Sequence, residues 1–213
     1  MLKRLVVISR PVLWVNTIGT TVMGMWLAGF LWDWRVLPIL IWVTLPFNLL
    51  IYGINDIFDQ ETDNINARKG GYEGAHISPS EVKPIWWGVL LTNIPFLTYF
   101  ALTLPWQATA WMLAYALFFT FYSAPPLRLK ARAYLDSFSN TDYAFPLAFV
   151  PLALGKEPIW LAVFALIVII ALAQPRYYAA VSSVVIDVSQ SDPTEEALDE
   201  LIGRYTAQAQ HPL

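Results

Sequence analysis

Residues 84–127 form a stretch of 44 residues without one charged side chain. A helix that crosses a bilayer needs about 20 predominantly apolar residues, so this stretch is long enough for two such helices. Pro105 lies near its middle, where a proline favours a turn between the helices. The second helix should end before Pro125 and Pro126, because two successive prolines stop a helix. We therefore predict a pair of membrane-spanning helices folded back on each other.

Other apolar stretches repeat this pattern along the chain. Only 14% of the 213 residues are charged and 57% are hydrophobic, whereas soluble domains carry about 25% charged residues. We therefore predict an all-α integral membrane protein, a bundle of about six transmembrane helices. Besides the pair above, the apolar runs are residues 11–32, 36–55, 143–155 and 158–175.

The composition also sets the domain organisation and excludes some functions. We predict a transmembrane domain in residues 1–186 and a polar, acidic C-terminal tail in residues 187–213. The chain has no cysteine, which excludes disulfides and thiolate metal sites. No basic run indicates nucleic-acid binding.

Lysine and arginine are unevenly distributed between the two ends of the predicted helices. With the N-terminus in the cytoplasm, the cytoplasmic segments up to the sixth helix carry nine basic residues, and the opposite segments carry only Arg35 and Lys156. The positive-inside rule favours this orientation. The polar segments that follow the second, fourth and sixth helices then share the cytoplasmic face.

A cluster of aspartates follows the second apolar run. Asp56, Asp59 and Asp63 stand at positions i, i+3 and i+7, so a helix that continues through them places three carboxylates on one face. Like charges repel, and a hard divalent cation such as Mg²⁺ binds carboxylate oxygens together with substrate phosphates. Asn55 adds an amide oxygen. The alternative interpretation is an acidic helix end at a membrane surface.

Two later segments bring further charges to the same face. A carboxylate at the bilayer centre costs roughly 2.5–3.5 kcal/mol on insertion scales, so these groups should lie near the interface or in a polar cavity. Acidic clusters with cations between them suit a diphosphate that carries Mg²⁺, and aromatic walls suit an isoprenoid tail. The predicted catalytic residues are Asp56, Asp59, Asp63, Asp187 and Asp192, and the first four of these are the predicted metal ligands. The predicted substrate-binding residues are Asn55, Arg68, Lys69, Tyr122, Arg128 and Lys130.

The pattern Asn-Asp-x-x-Asp-x-x-x-Asp at residues 55–63 resembles the first aspartate motif of the UbiA superfamily of intramembrane prenyltransferases. Other motifs resemble its lycopene elongase branch, whose members add five-carbon units to lycopene and so make C50 carotenoids. The resemblance covers about residues 9–155. Its motifs are Ser9-Arg10-Pro11, Trp14-Val15-Asn16, Tyr52-Gly53-Ile54, Asn66-Ala67-Arg68-Lys69-Gly70-Gly71, Glu73-Gly74 and Tyr122-Ser123-Ala124-Pro125.

The resemblance implies Mg²⁺-dependent transfer of a prenyl group from an allylic diphosphate, either dimethylallyl diphosphate or a longer one. The implied acceptor is hydrophobic, such as lycopene, and the implied location is the plasma membrane of a prokaryote, with the active-site loops cytoplasmic. Asn16 joins the substrate-binding residues on the same basis. Two features depart from the family. Asp192 follows Asp187 by five residues where the family has four. The family has about nine transmembrane helices, whereas about six are predicted for this chain.

Two other hypotheses remain open at this point. The departures from the family also fit a non-catalytic or truncated membrane subunit of a carotenoid-modifying complex, in which a partner membrane subunit completes the pocket. Within the enzyme hypothesis, the acceptor could instead be a quinone precursor, because aromatic quinone precursors, chlorophyllide and lycopene are all used in the superfamily. No residue here identifies an acceptor carboxylate or ring hydroxyl.

Overall fold

The structure, a computed structural model, describes residues 1–30, 32–60, 76–131, 135 and 140–172. Contacts divide the chain into two units, Met1–Ile170 and Ala171–Leu213, and the contacts discussed below lie within the first. The described residues contain helices and no strand. The predicted domain boundary at residue 187 lies outside them. The helices are α1 (Leu2–Ile8), α2 (Trp14–Leu27), α3 (Leu37–Trp42), α4 (Leu45–Phe58), α5 (Pro79–Thr103), α6 (Trp106–Ser123), α7 (Pro146–Ala153) and α8 (Trp160–Leu172).

The first helical stretch is bent where α1 meets the turn that precedes α2. The axes of Leu2–Ile8 and Pro11–Leu27 differ in direction by 48°. Pro11 has no backbone N–H to continue α1, and a proline disfavours helical geometry in the residue before it. Arg10 has a left-handed backbone, with φ 51° and ψ 71°. The helix restarts with Pro11 in a 3₁₀ turn, and Arg10 stands at the bend.

The second helical stretch, Trp34–Phe58, is interrupted between α3 and α4. Pro46 in the first turn of α4 cannot donate a backbone hydrogen bond, so carbonyls before it need other partners. The Val43 carbonyl accepts hydrogen bonds from Thr17 Oγ1 and Asn48 Nδ2, both at 2.7 Å. Asn48 Nδ2 also donates to Thr17 Oγ1 at 3.0 Å. These buried side chains replace the missing helical bonds and fix α2 against the interruption.

The long uncharged stretch folds as the predicted pair of helices. α5 begins at a capping box in which Ser78 and Glu81 satisfy each other's backbone N–H groups. It ends at Thr103, and α6 begins at Trp106, so the turn lies where Pro105 predicts it. α6 ends at Ser123, just before the two prolines. The predicted turn at Pro105 and the predicted end of the second helix are therefore confirmed.

Aromatic side chains form the centre of the helix bundle. Trp42, Phe47 and Tyr115 are fully buried, and the rings of Phe47 and Tyr115 stack with centroids 4.3 Å apart. Trp42 Nε1 donates to Asn93 Oδ1 at 3.0 Å, so the indole N–H is satisfied inside the core. Asn93 Nδ2 donates in turn to the Pro46 carbonyl at 2.8 Å. The core thus joins α3, α4, α5 and α6.

The packing of α2 against α7 depends on a glycine. A Cβ atom built on Gly24 would lie 2.6 Å from the Pro146 carbonyl oxygen and 3.1 Å from Val150 Cβ. Real Cβ atoms essentially never approach a backbone oxygen so closely. The absent side chain therefore allows the two helices to approach at this point.

The connection between α2 and α3 contains its own ion pair. Arg35 Nη2 lies 2.7 Å from Asp33 Oδ2, and the Arg35 backbone N–H donates to Asp33 Oδ1 at 2.9 Å. Two hydrogen bonds from Arg35 hold the pKa of the Asp33 carboxyl below its usual value. The larger contribution comes from the Arg35 side chain and the next from its backbone N–H. This connection follows the end of α2 that is remote from Arg10.

The helices in the described part of the chain differ from the predicted membrane spans. By length and hydropathy, two helical stretches in the described part of the chain could cross a membrane, Trp34–Phe58 and Pro79–Thr103. The bent pair Leu2–Ile8 and Pro11–Leu27 makes a third if it is one span. α6 and α8 lie at the predicted fourth and sixth spans without meeting this criterion, and α7 is only eight residues long. The described residues therefore supply fewer qualifying spans than the six predicted.

Candidate functional site

The aspartate cluster begins in the last turn of α4. Asn55 and Asp56 lie within the helix, and Asp59 is its C-cap residue with φ −105° and ψ 6°. α4 therefore ends at Phe58, so Asp56 lies in the helix and Asp59 lies just past its end. Asp63 lies outside the described residues. Carboxylates at a helix C-terminus are disfavoured by the helix dipole, so this end of α4 needs nearby cations.

Arg10 supplies the first of these cations. Its Nη2 lies 2.7 Å from Asp56 Oδ1, and the exposed fractions of the two side chains are 13% and 0%. The guanidinium carbon lies 4.6 Å from the centroid of the Tyr52 ring, one helical turn before Asp56. The bend before Pro11 thus brings a cation from the N-terminal region onto a buried carboxylate of α4.

Lys130 and Arg128 bring two more cations from the segment after α6. Lys130 Nζ forms a short hydrogen bond with Asp59 Oδ2 and donates to Asn55 Oδ1 at 3.1 Å. Arg128 Nη2 lies 3.7 Å from Asp59 Oδ1 and donates to the Phe58 carbonyl at 3.4 Å. Ser123 Oγ donates to Asn55 Oδ1 at 3.0 Å. The structure therefore places four predicted site residues together: Asn55, Asp59, Arg128 and Lys130.

A cavity of about 180 Å³ opens beside these charges. Polar and aromatic side chains both line it, so a ligand there would meet both. Tyr122, a predicted site residue, lines the cavity. The ring centroids of Tyr143 and Phe119, which also line it, are 5.2 Å apart. Asn16 is exposed on α2 and is not among the lining residues. The lining consists of Arg10, Ile51, Tyr52, Asn55, Phe119, Tyr122 and Tyr143.

The donor set around the end of α4 fits one mode of magnesium binding. Mg²⁺ is commonly held by one or two protein carboxylates together with substrate phosphates and water. Asp56, Asp59 and the amide oxygen of Asn55 are oxygen donors of that type. Within the described residues no group of three acidic, histidine or cysteine side chains forms a complete protein cage. The other predicted ligands or site residues, Asp63, Arg68, Lys69, Asp187 and Asp192, lie outside the described residues.

The structure also identifies polar residues that the sequence reading did not select. Arg10 was part of a recognised motif, and its position before Pro11 was a signal that its side chain points away from a regular helix. Tyr52 was likewise part of a recognised motif, Tyr52-Gly53-Ile54, whereas Tyr143 carried no such signal. Asp142 is 1% exposed, and within the described part of the chain its carboxyl group has no side-chain hydrogen-bond partner.

These features define an all-helical membrane protein with a charged site at a helix end and an aromatic cavity beside it. Residues 17–190 match the UbiA prenyltransferase family. The chain belongs to this family. No solved structure gives a significant match.

Several curated relatives are carotenoid enzymes. The lycopene elongase/hydratase of Corynebacterium glutamicum is 34% identical over 158 residues, which is 72% of this chain and 55% of that protein. The lycopene elongase/hydratase of Halobacterium salinarum is 35% identical over 70% of this chain and 54% of its own. The C(50) beta-cyclic carotenoids biosynthesis protein LbtBC of Dietzia sp. is 39% identical over 62% of this chain and 31% of its own. The chain thus spans about half the length of the lycopene elongase/hydratases it matches.

Proposed function

We propose that this chain catalyses Mg²⁺-dependent transfer of a prenyl group from an allylic diphosphate to lycopene or a similar polyene. The observation that carries the proposal is the meeting of Asp56 and Asp59 with Arg10, Arg128 and Lys130 at the end of α4. Opposite charges from three separate segments suit a site for a metal-bound anion. Family membership supports prenyl transfer, and the names of the relatives support a carotenoid acceptor.

The charged groups would bind the diphosphate end of the donor. Arg128 and Lys130 can donate charge-assisted hydrogen bonds to phosphate oxygens. Asp56 and Asp59, with the Asn55 amide oxygen, would hold Mg²⁺, which when bound neutralises negative charge on the leaving diphosphate. Of the predicted residues beyond the described part, we assign metal binding to Asp63 and Asp187, a place in the second acidic cluster to Asp192, and diphosphate binding to Arg68 and Lys69.

The aromatic rings that line the cavity would receive the prenyl group. The bond between the donor carbon and the diphosphate oxygen breaks, and both electrons leave with the diphosphate. A carbon–carbon bond then forms between the resulting allylic cation and an acceptor double bond, and the acceptor loses a proton. The rings of Tyr52, Tyr122 and Tyr143 can stabilise the cation through their faces and exclude water from it. Asn16 stays a predicted substrate-binding residue outside this cavity.

We place the site at the cytoplasmic face of a prokaryotic plasma membrane. The support is the distribution of basic residues along the helices. Arg10, Arg128 and Lys130 lie at the site end, whereas Arg35 follows the remote end of α2 and Lys156 the remote end of α7. The positive-inside rule favours the more basic end in the cytoplasm.

The experiment uses membranes from a lycopene-producing bacterium that expresses the chain. With dimethylallyl diphosphate and Mg²⁺, we expect pigments heavier than lycopene by one or two five-carbon units. Asp59→Asn should lower product formation by about a hundredfold, because it weakens binding and charge stabilisation at the leaving group. Asp33→Asn is the matched control, since it removes a carboxylate that is paired with Arg35 at the end of α2 remote from Arg10, and should have no effect.

The outcomes separate the competing hypotheses. Unchanged pigment masses together with prenylation of an added aromatic quinone precursor would show that the acceptor assignment is wrong. Binding of Mg²⁺ and diphosphate without turnover of either acceptor would favour a non-catalytic subunit that needs a partner membrane subunit. Equal product from the wild type and Asp59→Asn would contradict the site assignment itself.

A further inference from the structure

Asp56 is a buried carboxylate that is neutralised by a residue from outside the aspartate motif. Its side chain is fully buried, and Arg10 Nη2 contacts Oδ1 at 2.7 Å. Taking a carboxylate out of water is costly unless a cation and hydrogen bonds compensate for it. The Arg10 guanidinium therefore supplies positive charge to Asp56, as a metal bound to this carboxylate would also do.

Arg10 retains the capacity to bind a second anion. A guanidinium has five N–H donors in a planar fork, and Arg10 Nε is buried without a hydrogen-bond partner in the described part of the chain. Arg10 also lines the cavity, together with Asn55 and Tyr122. An unused donor on a permanent cation next to a cavity is suited to a phosphate oxygen.

The backbone at Arg10 is held in a conformation that costs free energy. Its φ of 51° lies in the left-handed region, which is unfavourable for a residue other than glycine. The surrounding contacts maintain it: Ser9 is fully buried, and Trp14 Nε1 donates to the Ser9 carbonyl at 3.0 Å. Strained residues that are held in place by their surroundings are concentrated at functional sites.

The charges at the site favour joint binding of metal and diphosphate. Among the described residues, three cations, Arg10, Arg128 and Lys130, face the two carboxylates Asp56 and Asp59. A divalent cation alone would add to this positive excess. A diphosphate alone would meet the carboxylates while its best donors are engaged with them. When both bind, the metal can take over the carboxylates and the diphosphate can take over the cations.

We propose, on the basis of the proposed function, that Arg10 is a diphosphate-binding residue that Asp56 holds paired in the unliganded protein. Ligand binding exchanges the Asp56 carboxylate for a phosphate oxygen as the partner of the guanidinium. Arg10 thereby makes the site selective for the metal-bound diphosphate over either component alone. The Tyr52 ring supports the guanidinium in both states through its face.

The test measures binding of inorganic diphosphate by calorimetry on the purified full chain, with and without Mg²⁺. Asp56→Asn removes the competing carboxylate and leaves Arg10 available, so metal-free diphosphate should bind about tenfold more tightly than to the wild type. Adding Arg10→Gln to this variant should abolish the gain. The double variant keeps the pair neutral, which avoids a buried unpaired charge. Arg35→Gln is the control and should bind like the wild type.

The outcomes distinguish this inference from the proposed function. If the wild type binds diphosphate with Mg²⁺ but Asp56→Asn and the double variant have equal metal-free affinity, Arg10 is only a structural partner of Asp56 and the inference is overturned. If no variant binds diphosphate under any condition, the proposed function and the inference both fail. Arg10→Lys provides a check on geometry: it should retain the charge but bind the metal-bound diphosphate more weakly, because it lacks the planar fork.

Discussion

Lys130 Nζ and Asn55 Oδ1 are 3.1 Å apart, although 75 positions of sequence separate the two residues. The hydrogen bond joins the segment after α6 to the last turn of α4, and the same ammonium group contacts Asp59. One cation thus links the amide and the carboxylate that the sequence places in a single motif. Replacing Lys130 should therefore affect both Asn55 and Asp59.

We predict that Lys130→Met weakens binding of the metal-bound diphosphate by at least about tenfold, because one charge-assisted contact is lost and Asp59 loses a cation. Calorimetry with Mg²⁺ and inorganic diphosphate measures this loss. Lys83→Met is the matched control, since Lys83 is exposed in the first turns of α5, and should bind normally. Equal affinities of the two variants would remove Lys130 from the site.

The sequence predicted the charged residues of the site better than their pairing. Uncharged run lengths and prolines correctly located the turn at Pro105 and the end of α6, because these depend on local backbone chemistry. The spacing of Asp56 and Asp59 suggested one helical face, but α4 ends at Phe58. Where a helix ends beside a cluster of like charges depends on the cations that surround it in the fold.

Arg10 shows why the rest of the site could not be read from the sequence. Its contact with Asp56 spans 46 positions and depends on a bend and a left-handed backbone at one residue. No periodic pattern encodes such a contact. The interruption at Val43 was hidden for a similar reason, since the side chains that stabilise it, Thr17 and Asn48, come from two different helices.

Thr17→Val should lower the free energy of unfolding by about 1 kcal/mol, because it removes a buried hydrogen bond to the Val43 carbonyl with little change in shape. Chemical unfolding in detergent measures the effect. Thr20→Val is the control: among the described residues, its hydroxyl bonds to carbonyls of its own helix, at Asn16 and Thr17. A larger effect at Thr20 than at Thr17 would contradict the role assigned to the interruption.

Gly24→Ala should destabilise the protein by about 1–3 kcal/mol, because the added methyl group would collide with the Pro146 carbonyl and push α2 away from α7. Gly19→Ala lies in the same helix and is the matched control, since a Cβ there meets no atom within 4 Å. The control should be neutral or more stable, because alanine favours a helix over glycine by about 1 kcal/mol. Thermal unfolding of the two variants side by side gives the comparison. Equal unfolding midpoints of the two variants would mean that α2 and α7 can move apart without a loss of stability.

Asp142 offers a test of whether a buried carboxyl serves the fold. It lies in the short 3₁₀ helix Asn140–Ala144, which packs against α2, α6 and α7, and its carboxyl group has no side-chain hydrogen-bond partner in the described part of the chain. Burying such a group costs free energy in either protonation state, and most if it is ionised. Asp142→Asn keeps the shape but removes the possibility of charge, so we expect the midpoint of thermal unfolding at neutral pH to rise. Asp33→Asn, which removes a carboxylate that is paired with Arg35, should not raise it. A fall in the Asp142→Asn midpoint would show that the carboxyl stabilises the protein through its charge, and the expectation would then be wrong.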